Sequence, residues 1–348
     1  MSETTGAMLH FASDYQAGAH QAIVDHLIAA NLELQTGYGF DTHSERAREL
    51  IRAACACPQA EIHFLVGGTQ ANATVIDAAL RPWQGVIAAE SGHINTHESG
   101  AIEAGGHKVI GLKQTLGKIT ADQVDACATT WEFDDNRDHM VMPGMVYISQ
   151  PTEFGTLYSL KELEALSEVC KAHNMLLYVD GARLAYALAT PQNDVSLADL
   201  ARLTSAFYIG GTKCGSLYGE AVVLAQPELF PHFFAQVKQH GALLAKGFGA
   251  GIQFEAFFED GLYERVGIQA IKQADRLRAG FSQKGIPLAI DSPTNQVFLR
   301  LNPAQLERLA QQVEYGFWEN TPEGDTIVRL ATSWYTKDED VDALLELF

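Results

Sequence analysis

The feature that most constrains this chain is an alternation of short apolar runs with helical stretches. The runs fall at Ile62–Val66, Val86–Ala89, Lys108–Leu112, Met145–Ser149, Met175–Val179, Ala206–Ile209 and Ala221–Leu224, and helical-looking sequence separates most of them. Runs this short that are apolar on both faces suit strands covered by helices on two sides, so the spacing predicts an α/β fold with a mainly parallel, doubly covered sheet. Ser159–His173, with Leu160, Leu163, Leu166 and Val169 or Cys170 on one side, is one of the covering amphipathic helices. Ligands in such sheets sit beyond the carboxyl ends of the strands, which directs attention to the residues that follow each run.

After about Gln253 the pattern changes to longer helices, then to strand candidates at Val297–Leu301 and Ile327–Ala331. The chain therefore divides, on sequence, into an N-terminal arm and interface segment over residues 1–40, a large domain over 41–252, and a small C-terminal α+β domain over 253–348. Within GYGFDTHSERARELI a loop enters a helix at Thr42 or Ser44.

Charge and cysteine content exclude several functions. Acidic residues outnumber basic ones by 43 to 24, a net charge of −19, and such a field repels phosphate backbones and anionic membranes. An anionic cofactor would then need a local exception. No stretch approaches the ~20 apolar residues of a membrane helix, and MSETTGAMLH lacks a secretory pattern, so a cytoplasmic location is expected. The five cysteines are scattered and odd in number, which reads as reduced thiols rather than a disulfide framework.

Four segments at strand ends carry the chemistry. In FLVGGTQANATVIDAAL, Gly67 and Gly68 follow a strand and Thr69 opens a helix; this is either a phosphate-binding turn or an ordinary turn with Thr69 as N-cap. In ESGHINTHESG, His93 and His97 are four apart, but no carboxylate completes a metal motif, so no metal is expected. His93 either lies against an aromatic cofactor ring or is a hydrogen-bonded structural histidine. In MLLYVDGARL, Asp180 ends a buried strand, where a carboxylate needs a cation: a protonated pyridine nitrogen is one candidate, Arg183 the other. In SAFYIGGTKCGSLYGEAVVL, Lys213 is pinned between a glycine turn and a second strand, which makes it a Schiff-base candidate against the many lysines that merely face solvent. Phosphate turn, histidine, Asp-x-x-Arg and lysine, in that order within one parallel sheet, together point to pyridoxal 5′-phosphate.

These residues resemble the threonine aldolase and β-eliminating lyase family, a branch of the aspartate-aminotransferase-like enzymes that use pyridoxal phosphate. The resemblance spans nearly the whole chain and is densest in FASD (11–14), GYGFD (37–41), GGTQAN (67–72), HINTHESG (93–100), VDGARL (179–184), GGTKCG (210–215) and VRLATSW (328–334). It implies that Gly68 and Thr69 hold the phosphate with help from Thr212, that His93 stacks on the ring, and that Asp180 pairs with its nitrogen. It further implies that Arg183 contacts the phenolic oxygen, that Lys213 forms the Schiff base, that Ser13 and Arg329 receive the substrate carboxylate, and that Tyr38 crosses a subunit boundary in a homodimer or homotetramer.

The departures bear on substrate choice. Where the usual aldolase reads Asn-Thr-His-Asn-Gly, this chain has Pro151-Thr152-Glu153-Phe154-Gly155, which puts Glu153 where a histidine would meet the substrate hydroxyl. Lys246 stands near a position where members of the family carry arginine, keeping the charge without the bidentate fork. PTEFG and GGTKCG resemble a phenylserine-aldolase-like subgroup. The implied activity is cleavage of a β-hydroxy-α-amino acid to glycine and an aldehyde, with Glu153, His93 or a water as base. A β-eliminating lyase acting on another amino acid is the alternative, and a catalytically silent pyridoxal phosphate-binding protein stands behind both. A dehydrogenase is disfavoured by the lack of a complete G-x-G-x-x-G after a strand.

Overall fold

All seven apolar runs enter one sheet. The computed structural model describes residues 8–348, and the strands are β1 (Glu61–Leu65), β2 (Gln84–Ala89), β3 (Val109–Leu112), β4 (Met142–Ser149), β5 (Leu176–Asp180), β6 (Ala206–Gly210) and β7 (Glu220–Leu224). Their spatial order is β1-β7-β6-β5-β4-β2-β3. Neighbours from β3 to β6 pair in parallel, and β7 runs antiparallel to both β6 and β1. The sheet is thus mixed but mainly parallel, as the two-sided apolar pattern requires.

Alternation within a strand feeds both covering layers. In β4, Val146 and Ile148 join one buried cluster, while Met145 and Tyr147 join the cluster on the opposite face. Helix Leu160–Ala172 covers the first face; Ser159 caps it in a reciprocal capping box with Glu162, and Leu163, Leu166 and Cys170 are buried. The helix in the N-terminal segment begins at Thr42, because the Asp41 carboxylate accepts the Ser44 N–H at 2.7 Å and so caps the first turn.

Three features depart from the sequence reading. The longer helices expected after Gln253 begin earlier, as Phe248–Glu259 followed by Leu262–Gln283, separated at Gly261, whose φ of +67° is a left-handed conformation that glycine adopts without steric cost. The small C-terminal sheet has four antiparallel strands rather than two: Gln296–Leu301 and Thr326–Ala331 pair centrally, and Leu288–Ile290 and Gly316–Asn320 flank them. Gly316–Asn320 is an edge strand with half its positions open to solvent, so it carries no apolar run to read. The third departure is at Thr69, which is not an N-cap: the helix is Gly68–Ala79, and Gly67, in extended backbone, precedes it without a side-chain cap.

A two-residue strand, Leu9–His10, pairs in parallel with Val313–Glu314 and ties the N-terminal segment to the C-terminal sheet. All five cysteines are free. Among the described residues no helix is long and apolar enough to cross a membrane, and no group of three or more His, Cys, Asp or Glu side chains is arranged to hold a metal ion.

Candidate active site

Register places the carboxyl ends of β4, β5 and β6 together, with Ser149 opposite Asp180 across the β4–β5 pair. A cavity of ≈ 340 Å³ opens beyond these ends, and its lining includes Gly68, Thr69, His93, Glu153, Asp180, Arg183, Thr212 and Lys213. All eight are residues the sequence singled out. Sequence positions as far apart as 68 and 213 converge because each follows its own parallel strand.

Asp180 is buried and receives four hydrogen bonds: from Tyr147 Oη at 2.7 Å, Tyr208 Oη at 2.5 Å, Asn72 Nδ2 at 3.1 Å and the Ala182 N–H at 3.0 Å. Burial raises the carboxyl, but the field of His93 and the hydrogen bonds from Tyr147, Tyr208 and Ala182 outweigh it and hold Asp180 below its ordinary value. Both tyrosines are pushed well above their usual range, chiefly by burial, so their hydroxyls remain donors. Asp180 is therefore an ionised acceptor at the cavity wall.

Arg183 is not its counter-ion. The guanidinium grips Asp14 in a bidentate pair, Nε to Oδ2 at 2.5 Å and Nη2 to Oδ1 at 3.1 Å, and Asn295 Nδ2 donates to the same carboxylate at 2.9 Å. The Asp180–Arg183 ion pair left open by the sequence is thus replaced by Asp14–Arg183, because Asp14 on the N-terminal segment reaches Arg183 from outside the sheet. No lysine or arginine forms a salt bridge with Asp180 among the described residues, so its negative charge is held by hydrogen bonds and the field of His93 rather than by an ion pair.

The Asp14 pair carries a stability prediction. Burial alone raises the Asp14 carboxyl, but the Arg183 guanidinium, then Lys213, outweigh it and hold it below its ordinary value. A depressed carboxyl contributes stability that is complete above its unfolded value, near pH ~3.9, and is lost as pH falls through the lower folded value. Asp14→Ala leaves a buried guanidinium unpaired and should cost ~3–5 kcal/mol at neutral pH. Denaturant midpoints should show that loss at pH 7 and a narrowing gap to wild type in strong acid; equal midpoints at pH 7 would refute it.

Lys213 is half-buried beyond β6, and its Nζ has no hydrogen-bond or ion-pair partner among the described residues. Burial first, then the nearby Arg183 charge, push its amine below the ordinary lysine value, towards the neutral form that attacks carbonyls. Gly68 supplies close approach on the opposite wall: a Cβ there would stand 2.9 Å from Tyr208 Oη. A backbone turn without a side-chain cap, a lysine whose amine is pushed below its ordinary value and an ionised acid without a salt bridge fit the phosphate, aldehyde and protonated ring nitrogen of pyridoxal phosphate.

His93 and Glu153 meet at the same end. Glu153 Oε1 accepts from the His93 backbone N–H at 3.0 Å and from Ser149 Oγ at 2.8 Å, while burial raises its carboxyl above the usual range. The His93 ring gives Nδ1 to Glu98 Oε1 at 2.7 Å, and its Nε2 has no partner among the described residues. Arg329 reaches the Ala12 carbonyl beside Ser13 at 3.1 Å, and its Nε is buried without a partner. Ser13, Arg329, Tyr38 and Lys246 are not among the residues that line this cavity, and Ser13 lines a separate one. Tyr38, with φ +63°, sits under Lys238, whose Nζ is 5.0 Å from the ring centroid; its N–H donates to the Ala245 carbonyl, next to exposed Lys246.

Sequence reasoning passed over Asn72, Glu98, Tyr147, Tyr208 and Glu220. Asn72 and Glu98 lie inside GGTQAN and HINTHESG and could have been flagged as polar residues in otherwise packed segments. The tyrosines alternate with apolar residues in β4 and β6 and read as core. Glu220 heads β7 opposite Gly210, accepts the Gly211 N–H at 3.0 Å, and is pushed up to about 7 mainly by burial.

Residues 10–327 match the family described as Beta-eliminating lyase. The low specificity L-threonine aldolase of Pseudomonas sp. (strain NCIMB 10558) is 30% identical over 345 residues, covering 96% of this chain and 95% of that protein. The structure of Leishmania major threonine aldolase superposes with a TM-score of 0.94 at 42% identity, covering 97% of this chain and 98% of that one. A Thermus thermophilus aspartate aminotransferase shares the fold, with a TM-score of 0.73 at 16% identity over 98% of this chain and 91% of its own.

Proposed function

Because this chain belongs to the beta-eliminating lyase family, we propose that it is a pyridoxal phosphate-dependent aldolase that cleaves a β-hydroxy-α-amino acid to glycine and an aldehyde. The similarity to threonine aldolases over the full length of both chains supports the substrate class. The observation that carries the site assignment is the pairing, in one cavity, of an ionised acid that makes no salt bridge and a half-buried amine that makes no hydrogen bond or ion pair among the described residues.

Lys213 would hold the cofactor covalently, Asp180 would accept a hydrogen bond from its ring nitrogen, and Gly68, Thr69 and Thr212 would bind its phosphate. When bound, the cofactor supplies an electron sink for the pair released as the Cα–Cβ bond breaks. Arg329 and Ser13 are assigned to the substrate carboxylate, an orientation that decides which bond to Cα stands ready to break. His93 is assigned the β-hydroxyl proton on its uncommitted Nε2; Glu153 is held in place through Oε1, which serves two donors, while its Oε2 is open. Glu153 then fixes the His93 backbone and Ser149, and Arg183 stays at the cavity wall through Asp14.

Tyr38 and Lys246 are assigned to the neighbouring subunit's site in a homodimer or homotetramer. The apolar side chains Ile28, Leu32, Leu34 and Phe40 stand exposed on the same N-terminal segment, in need of cover. Size-exclusion elution at a multiple of 37.9 kDa is the expected result, and a fully active monomer would contradict it.

The test of function is a product screen of the cofactor-loaded protein with threonine, allo-threonine, phenylserine and hydroxyaspartate. Glycine and the matching aldehyde in equal amounts are expected. Pyruvate or another α-keto acid with ammonia would instead identify a β-eliminating lyase.

A further inference from the structure

The orientation of the Asn72 amide is fixed from one side. Tyr178 Oη donates to Asn72 Oδ1 at 3.0 Å, and Tyr178 keeps its proton because burial pushes it well above its usual range. The amide nitrogen must therefore face the other way, towards two buried carboxylates, and its two hydrogens are both committed: one to Glu98 Oε1 at 2.7 Å, one to Asp180 Oδ2 at 3.1 Å.

Glu98 has a side-chain exposure of 0%, and its Oε1 also faces His93 Nδ1 at 2.7 Å. Its Oε2 is buried with no partner. The Glu98 Oε1 that faces Nδ1 also accepts the Asn72 hydrogen, an arrangement that suits an ionised carboxylate accepting from both partners. The hydrogen between Glu98 and His93 thus belongs to Nδ1, and the lone pair of the neutral ring is left on Nε2.

We propose that Glu98 and Asn72 are positioning residues for the reaction: Glu98 holds His93 in the Nδ1–H tautomer with Nε2 open as proton acceptor, and Asn72 locks Glu98 to Asp180. The histidine that takes the substrate proton and the acid that serves the cofactor ring are thereby parts of one buried network. When Nε2 takes up a proton, the Glu98 carboxylate balances the new charge without side-chain movement. This inference rests on reading His93 as the base.

The test begins with cofactor-free protein carrying ¹⁵N-labelled histidine, its His93 signals identified by their loss in His93→Asn. Long-range ¹H–¹⁵N correlations of the neutral ring should show Nδ1 protonated and Nε2 bare. Glu98→Ala should move His93 largely to the Nε2–H form and, in the loaded enzyme, lower kcat by about 10²–10⁴-fold, the scale seen when a catalytic histidine is held in the wrong tautomer. KM should change little. Glu98→Gln, whose carbonyl oxygen still accepts, should keep the Nδ1–H form and recover part of kcat. A wild-type His93 in the Nε2–H form would overturn the proposal, and so would unchanged kcat in folded Glu98→Ala. The spectra do not depend on turnover. If β-hydroxy amino acids are not cleaved while His93 shows the Nδ1–H form, it is the functional reading that fails, and the His93–Glu98 assignment stands.

Discussion

Replacing Lys213 by alanine is expected to abolish the borohydride-reducible visible absorption of the cofactor-loaded protein and to lower cleavage of β-hydroxy amino acids by at least ~1,000-fold, on the scale of losing a covalent catalytic group. The reason lies in what Lys213 does not touch. Lys213 is half-buried in the cavity and its Nζ makes no hydrogen bond or ion pair with the described residues, so truncation breaks no ion pair and leaves no partner stranded. Desolvation already disfavours the charged form of this amine, so its removal creates no new cost. The unfolding midpoint should therefore stay near wild type while the absorption disappears. Absorption and half or more of the activity surviving in Lys213→Ala would show that another amine carries the cofactor.

The second large effect is expected at Asp180. Asp180→Asn removes the ionised group assigned to the ring nitrogen, and its amide nitrogen would turn donor hydrogens either towards Tyr147 and Asn72 or towards Tyr208 and the Ala182 N–H, which already donate. The loss in kcat should be about 10²–10⁴-fold, the usual range for removing an acid or base from the chemical step. Lys213 is intact in this variant, so the visible absorption and its reduction by borohydride should persist. That contrast separates the two residues: Lys213 is needed for attachment, Asp180 for the electron flow that follows. A variant with wild-type kcat would show that Asp180 serves the fold alone.

Much of this was legible before any coordinates, for a physical reason. Strands buried on both faces write themselves as contiguous apolar runs, and the residue after each run is where a doubly covered parallel sheet puts its ligand. That rule draws attention to Lys213, Asp180 and the Gly68–Thr69 turn, and all of them line one cavity. Edge strands such as Gly316–Asn320 leave no such run because half their side chains face water. The polar network behind the cavity was harder still. Asn72 and Glu98 matter through contacts 26 residues apart in sequence, and a tyrosine such as Tyr208 reads as core until its hydroxyl is seen to meet Asp180. Asp14 was invisible for the same reason: only the folded chain brings it across 169 positions to claim Arg183 from Asp180.

One measurement tests the central claim most directly. The protein loaded with pyridoxal phosphate is reduced with borohydride, digested, and its modified peptide identified by mass spectrometry. The reduced cofactor should sit on Lys213, within the segment Gly210–Gly215, at one per chain. Its appearance on any other lysine, or on none, would contradict the assignment of this cavity as the catalytic site.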